Sequence, residues 1–403
     1  MQLASSISVF LLFSLALTYP GGYAVGAVLL LILGLWTLAR RRAQLDRKDW
    51  TLIALFLLYT AVCLGLNLVH GDPARRYDEP LRFVLAIPPL LFLRRVPPSP
   101  RALWSGVALG ALAAGVLAVW QVTLGQHLRA GDAVNPIQYG NISIALGLLC
   151  IAGLAWAREQ PASKGWRALL LAGALAGILA SILTQSRGSW LALPLCVPVL
   201  AFCSPWRGSI KKWLLGLVLG LAAFGTLLAI SPDSALQRRF TDIGKEVQAY
   251  RHSGKADNSV GGRLEMWRTS WIIFAERPVL GAGWTGYEQR KRELVRSGQA
   301  DPYILEHSHA HNDFLDAMAK RGLPGLALTL ALYLFPLWAF ARMACQGPRP
   351  ARPFALAGAM LAASWIGFGL TDTFLVHNNG ALLYAFSVAI LWGMARQAPQ
   401  NQG

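Results

Sequence analysis

Three histidines alternate within the segment His307-Ser308-His309-Ala310-His311-Asn312-Asp313. Imidazole is the commonest transition-metal ligand, but this spacing brings the three rings to one side only in an extended segment. No carboxylate or cysteine cluster in the segment completes a coordination sphere. A polar, solvated start of a helix would also explain the pattern. We favour a third interpretation, in which one histidine acts as a general base, because the unperturbed pKa of imidazole lies near operating pH.

Two arginines could act together with these histidines. Arg187 lies in the short polar turn Gln185–Gly188, and Arg263 follows two glycines. An arginine at a membrane boundary often only reaches lipid headgroups, and an exposed one often only forms a surface salt bridge. In combination with a histidine, however, two guanidiniums suit a phosphate-bearing substrate, because each offers a planar fork of donors that matches phosphate oxygens.

Several familiar phosphate and nucleotide motifs are missing from the sequence. No two acidic residues lie two positions apart, so there is no D-x-D pair of the kind that often holds a divalent ion. No P-loop, dinucleotide fingerprint or G-x-S-x-G occurs where it would be meaningful. We therefore expect no metal and no cofactor, and arginines would have to neutralise a phosphate leaving group.

The composition identifies the elements that must position these residues. Of the 403 residues, 55% are hydrophobic and only 14% are charged, whereas a soluble domain carries about 25% charged residues. The charges are clustered, and the apolar runs between the clusters have the length needed to cross a hydrocarbon core of about 30 Å. This predicts an all-α polytopic membrane protein. The five cysteines lie in or beside apolar segments, so no disulfide framework is expected.

Hydropathy predicts about twelve transmembrane helices, the first of which is read as a spanning helix rather than a cleaved signal peptide. The fourth is short and contains Pro88-Pro89, so we expect it either to be kinked or to begin outside the bilayer. The predicted spans are residues 3–19, 22–39, 50–69, 81–93, 103–124, 137–157, 166–184, 189–204, 213–230, 322–341, 353–371 and 379–395.

The positions of lysine and arginine predict the orientation. With the N-terminus in the cytoplasm, the short cytoplasmic segments hold 18 basic and 3 acidic residues, and the short segments opposite hold 5 of each. This is the positive-inside bias, and it places both termini in the cytoplasm. The net charge of +17 is then mainly a topology signal, with membrane lipids rather than nucleic acid as its partner.

One connection, residues 231–320, is much longer than the others and falls on the non-cytoplasmic side. It holds 12 of the 20 acidic residues, and loops of this length are usually functional. Apolar residues spaced from Leu236 to Tyr250 predict an amphipathic helix, 252–262 a flexible link, and Arg263 to Ala275 a second helix. The chain is thus predicted to consist of helices 1–9 (1–230), a loop domain (231–320) and helices 10–12 with a short tail (321–403).

This loop resembles the O-antigen ligase/polymerase family of bacterial envelope glycosyltransferases, and within it most closely the lipopolysaccharide O-antigen ligases. The motif covers about residues 185–330. The residues that carry it are Gly262-Arg263, Trp267, Pro278, Gly281-x-Gly283, His311-Asn312-Asp313-Phe314-Leu315 and Gly322-x-x-Gly325.

The resemblance implies a GT-C-like fold in the bacterial inner membrane, with a periplasmic active site and metal-independent, inverting glycosyl transfer. The donor would be a polysaccharide on undecaprenyl pyrophosphate, and the acceptor a sugar hydroxyl of lipid A-core. By position, His311 would be the catalytic base, and Arg187 and Arg263 would bind the pyrophosphate. His309 and Asn312 are weaker candidates for shaping the site.

Three other functions remain open. An O-antigen polymerase or a protein O-oligosaccharyltransferase would use the same donor and the same chemistry. The protein-directed enzymes are generally longer, and the short tail Gln397–Gly403 favours the ligase. A transporter or flippase for a polyprenyl-linked sugar would be expected to carry buried charges within its spans, and the predicted spans hold almost none.

Overall fold

The computed structural model describes residues 1–38, 45–131, 135–203 and 258–397, together with the single positions 244, 248 and 250. Over these ranges the regular structure is helical throughout, and they contain no β-strand. We number the described α-helices α1 (Gln2–Ser14), α2 (Gly22–Leu38), α3 (Arg47–His70), α4 (Asp78–Leu85), α5 (Ile87–Leu93), α6 (Pro100–Thr123), α7 (Pro136–Ala157), α8 (Ser163–Leu183), α9 (Ala192–Cys203), α10 (Ser259–Glu276), α11 (Gly283–Arg296), α12 (Asp313–Gln346), α13 (Arg352–Gly369) and α14 (Asn378–Ala395).

Six helices of the described ranges are long and apolar enough to cross a membrane, namely α3, α6, α7, α8, α12 and α13 with the short turn before it. The helices α1 and α2, and the segment Arg187–Cys203, are apolar but shorter. The chain is therefore a membrane protein with several spanning helices. All predicted spans except the ninth overlap described helices; their total of twelve and their orientation stay predictions.

The fourth predicted span is not one helix but two. The chain forms α4 and α5, which meet at Ala86. Pro88 and Pro89 cause the break, because a proline has no N–H to donate to the preceding turn and its ring clashes with that turn. Both prolines lie at the start of α5, where a helix tolerates them.

Part of the predicted loop lies outside the described residues. The described residues do not include the predicted ninth span (213–230) or the predicted domain boundary at residue 231. They also leave out most of the predicted amphipathic helix from Leu236 to Tyr250. The second predicted helix is present as α10, but it begins at Ser259, inside the predicted flexible link. Asn258 caps it by accepting a hydrogen bond from the backbone N–H of Gly261 at 2.7 Å.

The helices α7 and α13 form the centre of the bundle, since 89% of each spanning window is buried. Small residues let their neighbours approach closely. A Cβ placed on Gly177 of α8 would lie 2.5 Å from the carbonyl oxygen of Ser143 on α7. Close backbone approach of this kind is how spanning helices pack in the absence of a hydrophobic driving force between them.

A buried carboxylate joins three distant parts of the bundle at one end. Asp49 of α3 is fully buried and accepts hydrogen bonds from Trp392 at 2.7 Å and from Arg396 at 3.0 Å. Its other oxygen lies 3.1 Å from a guanidinium nitrogen of Arg94, which follows α5. One side chain therefore fixes the start of α3 to the ends of α5 and α14.

The helix α12 bends at Gly322, where φ is +63° and ψ is −157°. The predicted tenth span began there, and the structure adds a preceding segment from Asp313 to Arg321. The bend is held by the chain after α10, because the backbone N–H of Leu323 donates to the carbonyl of Pro278 at 2.8 Å. The outer segment of α12 is thus set at an angle to its spanning part, and its first residue follows the histidine segment.

Candidate active site

The histidine segment is an irregular loop between a 3-10 helix (Pro302–Glu306) and α12. Two buried lysines hold its carbonyl groups. The Lys291 ammonium donates to the carbonyl of Ile304 at 3.2 Å and also to that of His307. Lys320 donates to the carbonyl of Ser308 at 3.0 Å and is itself paired with Asp316 at 2.7 Å. The hydrogen bonds from these two ammonium groups therefore fix the loop, since charged hydrogen bonds are stronger than neutral ones.

Four imidazoles form a continuous row. In order, His307, His311, His309 and His377 have ring-centroid separations of 5.1, 4.4 and 5.5 Å. The fourth member comes from the connection between α13 and α14, well outside the predicted motif. We call these four side chains the histidine row. The structure thus brings together His309 and His311, both of which the sequence predicts as site residues. It adds His377, which the sequence does not predict.

The backbone at His311 is strained. Its φ is +49°, which is uncommon for a residue other than glycine. Both flanking peptides are tied down, because the N–H of Ala310 donates to Asp316 at 3.0 Å and that of Asn312 donates to Thr373 at 3.2 Å. Strain of this kind persists only where the surroundings fix it, and it clusters at functional sites.

A buried aspartate lies behind His311. Nδ1 of His311 is 3.4 Å from Oδ1 of Asp372, whose side chain is only 2% exposed. The contact is too poorly aligned to be a hydrogen bond here, and catalytic hydrogen bonds often tighten only when substrate binds. An aspartate at Nδ1 favours the tautomer in which Nε2 can accept a proton, and it stabilises the imidazolium that results. Sequence reasoning missed Asp372.

The other imidazoles of the row are held in the neutral form. Burial is the main cause of the lowered pKa of His309, and the nearby His311 and Lys320 add to it. Burial likewise lowers the pKa values of His307 and His377. Neutral rings can each donate and accept one hydrogen bond, so these residues can orient polar groups without adding charge beside His311.

Asn312 has a structural task in this arrangement. Its side-chain oxygen accepts hydrogen bonds from the backbone N–H groups of Phe314 and Leu315, both at 3.0 Å, and so caps α12. Its amide nitrogen donates to the carbonyl of Leu370 at 3.1 Å. Asn312 thus holds the neighbouring His311 in position, and its role in shaping the site for substrate stays a prediction.

Arg263 lies at the His307 end of the row. The preceding Gly262 packs so closely on Tyr303 that an added Cβ would come within 2.2 Å of its ring, and Tyr303 in turn lies 5.1 Å from the His307 ring. Burial contributes most to the lowered pKa of His307, and the charge of His311 comes next. The guanidinium of Arg263 also lowers this pKa.

Arg187 opens a 3-10 helix (Arg187–Leu191) between α8 and α9. The next residue, Gly188, packs against Thr371, where an added Cβ would lie 2.3 Å from the hydroxyl oxygen. Thr371 immediately precedes Asp372 in the chain. The turn that carries Arg187 is therefore held against the connection that carries the aspartate behind His311.

A cavity of about 640 Å³ opens at the His377 end of the row. His309 and His377 line it together with Arg75, Arg76 and Arg82, which come from the connection after α3 and from α4. In the sequence, these arginines are only charged residues near a predicted span. No local pattern links them to a motif more than two hundred residues away, so only the folded chain shows that they lie beside it.

Among the described residues, no group of three or more histidine, cysteine or acidic side chains is placed to hold a metal ion. The four imidazoles are arranged as a row with neighbours edge-to-face or tilted, rather than converging on one point. The described part of the site thus consists of a candidate base, a buried carboxylate and arginines at both ends of the row.

Comparison with known proteins points to one family. Residues 171–330 match the family described as O-antigen ligase. This part of the chain is therefore similar to the O-antigen ligase family. The match contains Arg187, Arg263 and His311, whereas Asp372 and His377 lie beyond it. The resemblance found in the sequence is therefore confirmed.

Two relatives extend the comparison. An uncharacterized protein of Haemophilus influenzae is 27% identical over 386 residues, which cover 94% of this chain and 95% of the relative. An O-antigen ligase of Escherichia coli is 25% identical over 225 residues, which cover 55% of this chain and 51% of that protein. Similarity to the first thus extends over almost the whole chain, and similarity to the O-antigen ligase over about half.

Proposed function

We propose that this protein is an O-antigen ligase of the bacterial inner membrane. It transfers a polysaccharide from undecaprenyl pyrophosphate to a sugar hydroxyl of lipid A-core on the periplasmic face. The observation that carries the proposal is the His311–Asp372 pair at 3.4 Å, in a chain whose residues 171–330 match the family. A candidate base beside arginines suits a reaction that needs both a deprotonated hydroxyl and a stabilised phosphate leaving group.

The proposed reaction is a single displacement. Nε2 of His311 takes the proton of the acceptor hydroxyl, and that oxygen attacks the anomeric carbon of the donor sugar. The bond from this carbon to the pyrophosphate oxygen breaks, its electron pair leaves with the pyrophosphate, and the configuration inverts. Asp372 stabilises the imidazolium that forms, which then releases its proton to water.

The arginines of the family match act on the leaving group. Arg187 and Arg263 bind the pyrophosphate and stabilise the negative charge that grows on it as the bond breaks. Both substrates carry lipid tails, so a site at the rim of a helix bundle lets the tails stay in the membrane while the sugars meet water. This arrangement also explains why a soluble-nucleotide pocket is not needed.

The test is a transfer assay with the purified full-length protein in lipid nanodiscs. Undecaprenyl-pyrophosphate-linked polymer is the donor, and lipid A-core, a peptide with Ser and Thr, and polymer repeat units are offered in parallel. We expect a glycosidic product on lipid A-core with wild-type protein and none with His311→Ala. Exclusive transfer to repeat units would instead identify a polymerase, and transfer to peptide a protein O-oligosaccharyltransferase.

The transfer assay, combined with a donor-translocation assay in sealed proteoliposomes, separates the enzyme from a transporter. A flippase for a polyprenyl-linked sugar would move the donor between leaflets without forming a glycosidic bond. Absence of any transfer product, together with protein-dependent movement of the donor, would overturn the proposed function.

A further inference from the structure

The cavity at the His377 end of the histidine row carries charge that its own residues do not balance. Arg76 is paired with Glu79 at 2.7 Å, and Arg82 with Asp78 at 3.0 Å. Arg75 is exposed, and the described residues give its guanidinium neither a hydrogen bond nor an ion pair. Because His309 and His377 are neutral, the cavity has an excess of one positive charge.

A further donor in the cavity is oriented and has no acceptor among the described residues. The amide of Asn379 donates to Oε1 of Gln138 at 2.7 Å, since its own oxygen accepts from the N–H of Gly380. The side-chain NH₂ of Gln138, which lines the cavity, is thereby fixed as a donor.

Arg82 is a fixed part of the cavity wall. Its guanidinium donates to the carbonyl of Val376 at 3.3 Å and to the side-chain oxygen of Asn378. These two residues flank His377, so the arginine holds that end of the histidine row against α4. The cavity is therefore built on a rigid frame that includes the row itself.

The row places this cavity and Arg263 at opposite ends, with His311 between them. Arg263 acts on His307, the first ring, whereas His309 and His377, the last two, line the cavity. In an inverting displacement the nucleophile and the leaving group lie on opposite faces of the anomeric carbon. If the pyrophosphate is bound by Arg263, an anion held at the other end of the row belongs to the substrate that brings the nucleophile.

We propose that this arginine cavity binds a phosphate group of the acceptor glycolipid and so holds the acceptor hydroxyl near His311. The inference rests on the proposed function and names the substrate that this part of the site recognises. Arg75 supplies the unbalanced charge, and Gln138 supplies a directed donor. A phosphate monoester carries about −1.5 to −2 charges and three acceptor oxygens, which matches this set.

The test compares Michaelis constants for the two substrates in the nanodisc assay, with lipid A-core used either intact or after enzymatic removal of its phosphates. Arg75→Ala should raise the KM for intact acceptor about tenfold and leave the donor KM and kcat within about twofold. Removing the acceptor phosphates should raise the wild-type KM by a similar factor. With dephosphorylated acceptor, Arg75→Ala should raise the acceptor KM no further, because the substitution and the loss of the phosphates remove the same contact.

A second variant guards against an effect of Arg75 on folding. Gln138→Glu keeps the oxygen that accepts from Asn379 but exchanges the donor NH₂ for a negative charge. It should raise the KM for intact acceptor more than for dephosphorylated acceptor. Arg75→Lys should retain most of the acceptor affinity, and Arg296→Ala, an exposed arginine of α11, should change neither KM.

Two results would overturn the inference while leaving the proposed function intact. One is an unchanged acceptor KM in both Arg75→Ala and Gln138→Glu. The other is a rise in the donor KM instead, which would assign the cavity to the donor pyrophosphate. Absence of transfer to lipid A-core by the wild-type protein would instead be a failure of the proposed function.

Discussion

Replacing Asp372 by asparagine tests the proposed mechanism most directly. The substitution keeps the size of the side chain and removes its charge. Two unit charges 3.4 Å apart interact by about 5 kcal/mol at an effective dielectric constant of about 20. The asparagine amide dipole and water compensate part of this loss. We expect the transition state to lose about half of this interaction energy, which corresponds to a kcat lower by about a hundredfold.

The loss should appear in kcat, because the charge of Asp372 stabilises the imidazolium that forms only as the proton is transferred. The KM values should change little, since Asp372 lies behind His311 rather than against the substrate.

The measurement is the kcat of transfer to lipid A-core. Glu306→Gln is a matched control, because it neutralises an exposed carboxylate beside His307. The control should retain its rate within about twofold. A kcat for Asp372→Asn close to that of wild type would refute the role assigned to the pair.

Three further predictions follow from the same site and fold. In cells, His311→Ala, Arg187→Ala and Arg263→Ala should each abolish smooth lipopolysaccharide while undecaprenyl-linked polymer accumulates at normal length; normal laddering in all three would contradict the proposed site. Transfer in vitro should survive a chelator, and a loss restored by divalent ion would show that a metal is needed. Asp49→Ala should destabilise the fold by about 3–5 kcal/mol because it leaves the partly buried guanidinium of Arg94 without its anion and Arg396 with Asp46 alone. Thermal unfolding in detergent measures this, with the exposed Glu159→Ala as a control that should barely change.

The local features of the chain followed well from the sequence. Apolar runs of spanning length predict helices because every backbone group in a membrane must be satisfied within its own segment. The break at Pro88-Pro89 was visible as a kink for the same kind of local reason. Among the described residues, the errors were shifts of helix ends, as at Ser259, where the cap by Asn258 extends α10 into the predicted link.

The candidate site was accessible only in part. His311 and His309 are two residues apart in the chain, so their proximity needed no fold, and the spacing of Arg263 and His311 carried the family resemblance. Asp372, however, lies in the connection after α13, and Arg75 in the one after α3. Nothing in their local sequence distinguishes an aspartate behind a base or an arginine in a cavity from an ordinary charged residue at the end of a helix.

By itself, the sequence determined that this is a helical membrane protein and that one histidine and two arginines share a family motif. These properties depend on hydropathy, on charge and on short-range spacing, all of which are written along one stretch of chain. Only the tertiary structure decided which carboxylate lies behind His311, that Asn312 caps a helix, and that arginines from the connection after α3 and from α4 line one cavity with His377. Such contacts depend on how helices pack, and packing is a property of many residues at once.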